Sequence, residues 1–176
     1  MSDPENQEQR SISSRIFSWV VTVTVLIIAA LIVLPGTSRP RRGYAKEYRA
    51  RAEIKAISNG LQQYRVHYGR WPFSGEGREQ KDNKKLMSVL AFRTNAPPLR
   101  AENPKRIIFV DPHPISIKDG EYVDPWGNPY RIFLDVDEDG VIQVGSVRLT
   151  NSMAVWSKGR NGIDETGEGD DIASWK

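Results

Sequence analysis

The longest uninterrupted apolar run lies near the start of the chain. Ile16 to Leu34 reads IFSWVVTVTVLIIAALIVL, nineteen residues without a charge. Only Ser18, Thr22 and Thr24 are polar, and their hydroxyls can bond back to a helix carbonyl. As a helix the run spans roughly 28 Å, close to the hydrocarbon thickness of a bilayer. It has no polar face, so membrane insertion is the simplest reading. Trp19 sits near one end, where an indole can lie among head groups. A cleaved signal peptide is the competing reading. However, no clean small-x-small site follows, and Pro35-Gly36 and a basic cluster come next. We therefore expect a retained single-pass transmembrane helix.

A different rhythm begins after the linker. Ala45, Tyr48, Ala52, Ile57, Leu61, Tyr64 and Tyr68 recur at steps of three to five, which predicts a long helix from about Arg42 to His67. Gly69 suits the position just past its end, and Pro72 blocks continuation. Core packing accounts for the tyrosines, and His67 has no partner group nearby in sequence. Lys84 to Phe92 predicts a short amphipathic helix with Leu86, Val89 and Leu90 on its apolar side. Asn95 to Pro104, with three prolines, reads as loop, and Ile107 to Val110 as a strand. Tyr130–Leu134 and Val141–Val147 are stronger strands, and the acidic turn between them predicts a hairpin. Ala154–Trp156 is a last short strand. The class is α+β: a transmembrane helix, then a long helix packed on a small antiparallel sheet. The expected domains are a polar tail 1–15, the transmembrane helix 16–34, a linker 35–41 and an extracytoplasmic domain 42–176.

Composition sharpens this picture in two places. The net charge is only +3, but Arg39, Arg41, Arg42, Lys46, Arg49, Arg51 and Lys55 crowd just after the anchor. A juxtamembrane basic cluster suits lipid phosphates, and no nucleic-acid partner is expected. There are no cysteines, which excludes disulfides, Cys-ligated zinc and a thiol nucleophile.

Two acidic segments are candidates for a cation. Asp135-Val-Asp137-Glu-Asp139-Gly140 matches the opening of an EF-hand loop, with carboxylates at alternate positions and glycine at the sixth. The twelfth position is Ser146 rather than a bidentate Glu, and strands flank the loop, so this turn reads as mainly structural. The second segment is the C-terminal run from Trp156 to Ile172. Four glycines let it fold back on itself, while Asn161, Asp164, Glu165, Glu168, Asp170 and Asp171 supply hard oxygens. Composition leaves a calcium loop and a solvated acidic tail equally open.

The block Asp124-Pro-Trp-Gly-Asn-Pro-Tyr130, with Trp156-Ser157-Lys-Gly159-Arg-Asn161-Gly162 and Gly169-Asp170-Asp171-Ile172, resembles the periplasmic domain of the major pseudopilins of type II secretion. So does the long helix with its Tyr68-Gly-Arg-Trp-Pro72 exit, and the resemblance covers about Ala45 to Lys176. It implies a pilin-like fold and a Ca2+ ion held by the C-terminal loop. It also implies a structural role, as the repeating subunit of a short periplasmic filament that supports protein export. The ion's site maps onto Ser157, Lys158, Asn161, Asp164, Asp170 and Asp171. Lys158 would offer its carbonyl, and Asn161 stands where the family has a loop Asp. Asp170 or Asp171 would supply the later carboxylate. The implied partners are the membrane, further copies of the chain, other pseudopilins and secretion-system proteins, with no small-molecule substrate.

The chain departs from the family at its start. Ser14-Arg15-Ile16-Phe17 offers no Gly for the prepilin peptidase, and no Glu lies inside the anchor. The alternative is therefore a membrane-anchored, non-polymerising calcium-binding interaction module. Basic residues are denser after the anchor than before it, which by charge alone would leave the domain in the cytoplasm. The resemblance implies the opposite: a bacterial inner-membrane protein with a periplasmic domain, where calcium is abundant. No nucleophile–base pair or phosphate-cradling loop is present, so the reading is not an enzyme. Mass analysis of the purified membrane protein is expected to find a chain starting at or near Met1. A mature start at Phe17 or beyond would instead mean processing by the ordinary pseudopilin route.

Overall fold

The computed structural model describes residues 19–25, 42–74, 78–80, 83–91, 93 and 97–176. The chain divides into two units, Met1–Arg39 and Pro40–Lys176. In the first, residues 19–25 are helical and exposed. The rest of the expected transmembrane segment lies outside the described residues, as do the tail 1–15 and the linker 35–41. Among the described residues no helix is long and apolar enough to cross a membrane.

The second unit is α+β. Helix α1 (Arg42–Tyr68) runs into Gly69, which has a left-handed φ of 68° and donates its N–H to the Arg65 carbonyl at 2.8 Å. Its buried stripe is Ala50, Ile54, Ile57, Leu61 and Tyr64, at steps of four and three. This corrects the expected stripe in its first half. Ala45, Tyr48 and Ala52 are exposed, Tyr48 by 71%: the first two precede the core, which begins at Ala50, and Ala52 lies on the face opposite the buried stripe. Helix α2 (Asn83–Leu90) buries Leu86, Met87, Val89 and Leu90 against the same core. Helix α3 (Pro97–Glu102) occupies part of the expected proline loop. Proline at a first helical position loses nothing, since that N–H has no intrahelical partner.

Seven short strands follow. β1 (Ile117–Lys118) and β2 (Glu121–Tyr122) form a hairpin around Asp119-Gly120, both at positive φ. β3 (Arg131–Leu134), β6 (Met153–Ser157) and β7 (Ile172–Ala173) make the central antiparallel sheet, with β6 in the middle. Ile132, Leu134 and Val155 join the core shared with α1 and α2. Ala154 and Trp156 face the other way, into a second cluster with Ile142, Val144 and Ala173.

Two expected strands are corrected. The 141–147 run is not one strand paired with 130–134. It splits into β4 (Ile142–Val144) and β5 (Val147–Leu149), which pair with each other around Gly145-Ser146. Gly145 takes a φ of 56° and permits that tight reversal. β3 pairs instead with β6, Ile132 opposite Val155. The 107–110 segment is not a strand either. The N–H groups of Phe109 and Val110 both donate to the Leu90 carbonyl, at 2.8 and 3.2 Å. Buried Asn103 pins the start of the segment: its amide donates to the carbonyls of Val89 (2.9 Å) and Ile107 (2.7 Å) and accepts the Ile107 N–H.

That segment crosses α1 at Gly60. A Cβ there would stand 2.9 Å from the Phe109 carbonyl oxygen and collide with the Val110 side chain. Gly60→Ala should gain about 1 kcal/mol of helix propensity but lose more to overpacking. The expected net effect is a destabilisation of about 1–2 kcal/mol in denaturant unfolding. A more stable Gly60→Ala protein would show that the crossing is loose.

Candidate metal centre

The C-terminal loop is fixed first at its base. Asp124, in the Asp-Pro-Trp-Gly block, is buried. Its Oδ1 accepts the N–H groups of Trp126 and Asn128, both at 2.9 Å. Its Oδ2 accepts the Ser157 hydroxyl at 2.5 Å, and Ser157 Oγ in turn accepts the Gly159 N–H at 3.0 Å. Asn128 donates its side-chain amide to the Gly159 carbonyl at 3.0 Å. The two motifs of the resemblance are thus joined by hydrogen bonds. Gly159 adopts φ 62°, and a methyl there would run into the backbone of Asp170. The loop therefore closes on itself only because this position is glycine.

Beyond Gly159 the chain turns through Gly162, Thr166, Gly167 and Gly169, all at positive φ. The fold-back brings Glu165, Asp170 and Asp171 together, with one carboxylate oxygen of each within 4.8 Å of the others. Asp170 Oδ2 accepts the N–H groups of Arg160 (2.6 Å) and Asn161 (2.9 Å). Glu165 Oε2 accepts the Asp170 N–H at 3.2 Å and the Asn161 amide at 3.3 Å. Asp171 is only 7% exposed. Its Oδ2 accepts the N–H groups of Glu165 and Gly167, both at 2.9 Å, but its Oδ1 is buried without a hydrogen-bond partner. Burial holds the Asp171 carboxyl above its ordinary pKa; the two N–H donors oppose this, and the charges of Asp164 and Glu165 add to it.

This donor set fits a hard cation. Three carboxylates converge, and one buried oxygen has lost water without gaining a donor. The expected ligands are arranged unevenly. Asp170 and Asp171 lie in the cluster. Asn161 borders it, with its Oδ1 accepting the Ile163 N–H at 2.7 Å. Ser157 is buried at the loop's base and Lys158 beside it is partly buried. Asp164 points elsewhere: Oδ1 accepts the Trp156 indole N–H at 2.9 Å, and Oδ2 lies 3.3 Å from the Arg131 guanidinium. Glu165 takes its place in the cluster. It stood among the oxygen-bearing residues of the run but not among the expected ligands. Only the Gly167 and Gly169 turns, which fold Glu165 back over Asp170, single it out.

The other acidic turn also gathers its carboxylates. Asp135, Asp137 and Asp139 bring oxygens within 4.8 Å of one another. Arg78 lies against the outer two, donating to Asp137 and, at 2.9 Å, to Asp139. It draws both carboxyls below the ordinary range, chiefly by its own hydrogen bond at Asp137 and after the Val141 N–H at Asp139.

No family model matches the chain. The type II secretion system core protein G of Aeromonas hydrophila is 27% identical over 174 residues, covering 96% of this chain and 95% of its own length. The crystal structure of the major pseudopilin from the type 2 secretion system of enterohaemorrhagic Escherichia coli covers 78% of this chain and 93% of its own, at 17% identity and a TM-score of 0.40. The resemblance seen in the Asp-Pro-Trp-Gly block and the C-terminal loop thus extends to a relative matched almost end to end, and the chain is a relative of the type II secretion pseudopilins.

Proposed function

We propose that this chain is a structural subunit of a type II secretion apparatus, anchored in a bacterial inner membrane by Ile16–Leu34, with residues 42–176 on the periplasmic side. The observation that carries this reading is the end-to-end match to a core protein of that system, which spans the apolar N-terminal run as well as the domain. The role is mechanical rather than catalytic. The subunit packs with further copies and with other pseudopilins to support protein export.

Calcium stabilises the subunit in this reading. Glu165, Asp170 and Asp171 would hold the ion through their carboxylates, with Asp171 Oδ1 as the buried ligand. Ser157, Lys158 and Asn161 complete the site's wall, and Asp164 braces it through Arg131 and Trp156. A bound cation would supply the positive charge that these carboxylates need in order to lie close together. The remaining work falls to the chain: Asp124 and Asn128 hold the loop's base, and Gly159 lets the strand pass under Asp170. The second reading, a non-polymerising calcium-binding module, is favoured by the Ser14-Arg15 pair in place of a leader Gly and by the uncharged anchor.

Two measurements test these readings. Formaldehyde cross-linking of intact membranes is expected to give a ladder of multimers. A chain captured only as monomer points to the non-polymerising module. For the ion, the full-length protein in detergent should melt at a lower temperature in chelator than in millimolar calcium. Ordering a glycine-rich loop costs about 1 kcal/mol or more per residue, and the ion offsets that cost. Asp171→Ala should abolish the C-terminal loop's share of the difference and Asp170→Ala should weaken or abolish it. Magnesium should substitute poorly, because it demands tighter octahedral geometry. A melting temperature indifferent to calcium would reduce the loop to an acidic tail.

A further inference from the structure

The turn after β3 reads in sequence as a structural hairpin, but its side chains are satisfied unequally. Asp137 and Asp139 face the surface, with side chains 52% and 50% exposed, and both receive Arg78. Arg78 also donates to the Val141 carbonyl at 2.8 Å. One guanidinium therefore spans the third, fifth and seventh positions of the loop. In calcium loops of this spacing, two carboxylates and a backbone carbonyl at those positions face the ion.

Asp135, at the first position, is different. It is 2% exposed. Its N–H donates to the Ser152 carbonyl at 3.0 Å, and its own carbonyl accepts the Trp71 indole N–H at 2.8 Å. The backbone of the residue is thus clamped on both sides. Oδ2 accepts the Gly140 N–H at 2.9 Å. Oδ1 is buried and has no hydrogen-bond partner. A turn held for backbone reasons needs only the first of these oxygens. The second is a desolvated oxygen of a carboxyl group that gathers within 4.8 Å of two others, an arrangement that costs free energy unless a cation matches it.

We propose that Asp135, Asp137, Asp139 and the Val141 carbonyl form a second divalent-cation site. The ion seats on the buried Asp135 Oδ1 and competes with the Arg78 guanidinium for the outer three ligands. The site takes calcium rather than magnesium, because its ligands come from a turn and two loose surface carboxylates rather than an octahedral cage. Ser146 at the twelfth position contributes no carboxylate, so water must complete the shell and the affinity is modest. Arg78 sets that affinity from outside the loop.

Terbium, a trivalent probe for calcium sites, tests this on the full-length protein in detergent, excited through Trp71. In the Asp171→Ala background, which silences the C-terminal loop near Trp156, sensitised emission should persist and calcium should quench it by displacement. Asp137→Asn should remove the emission. That side chain is half exposed, so the substitution does not threaten the fold. Arg78→Gln should tighten calcium displacement severalfold by removing the competitor. Emission that survives Asp137→Asn, or that never appears, overturns the site. So does an Arg78→Gln protein that merely melts earlier with unchanged calcium displacement, because Arg78 is then only a staple. If Asp171→Ala fails to fold, the loss of part of the emission in Asp137→Asn alone carries the same decision. Loss of emission through Asp171→Ala alone would indict this site while sparing the C-terminal loop.

Discussion

A carboxylate taken out of water must be matched by donors or by positive charge, and among the described residues four buried acids organise this domain around that constraint. Glu53 and Asp124 are fully matched. Glu53 Oε1 accepts the Ser116 hydroxyl at 2.5 Å and lies 2.9 Å from Arg49 Nε, and Oε2 accepts the Tyr130 hydroxyl at 2.7 Å. Burial and this bond together push the Tyr130 hydroxyl far above its ordinary pKa, so it stays a donor. Glu53 thereby ties α1 to the loop before β1 and to the entry of β3. Asp124 ties the turn before β3 to the end of β6. Asp135 and Asp171 are matched on one oxygen only. The first pair builds the scaffold. The second pair marks, among the described residues, two buried carboxyl groups whose donors run out, and both lie in acidic clusters.

The scaffold makes the clusters possible. Like charges gather only where the chain is forced to bring them together, since on a free tail they would separate. In the C-terminal loop the forcing elements are the anchored base at Ser157 and the return of the chain as β7. Ile172 pairs with Ser157 and Ala173 with Trp156 in the central sheet, so Asp170 and Asp171 sit at the edge of a strand rather than on a loose end. In the other turn the forcing elements are the Trp71 indole and the Ser152 carbonyl. Each cluster therefore borrows its rigidity from an indole or a strand that carries no charge of its own.

Much of this was legible in the chain, for identifiable reasons. The exit of α1 at Gly69 and the apolar side of α2 follow from local rules, and both stand. The first half of the α1 stripe was misread because tyrosine and alanine fit a helical period whether or not a core lies behind them. The pairing of 130–134 was misread because proximity in sequence favours a hairpin. Gly145-Ser146 let the intervening run fold on itself, and β3 was left to pair with β6. Asp119-Gly120, by contrast, carried a hairpin signal that alternation in its two-residue strands was too short to reinforce. At the clusters, composition named the oxygens but could not say which of them would be stranded. That depends on which N–H groups reach Asp135 and Asp171, a matter of tertiary geometry.

The close crossing at Gly60 has a mechanical meaning. Along α1 the neighbouring turns place Ala56 and Tyr64 on either side of that glycine. Sliding the helix by one turn would bring a methyl or an aromatic side chain against the Phe109 carbonyl, where only a hydrogen fits now. The helix is keyed into its domain like a shaft in a slot. Slip of the helix along its own axis is therefore resisted at this crossing by a steric stop.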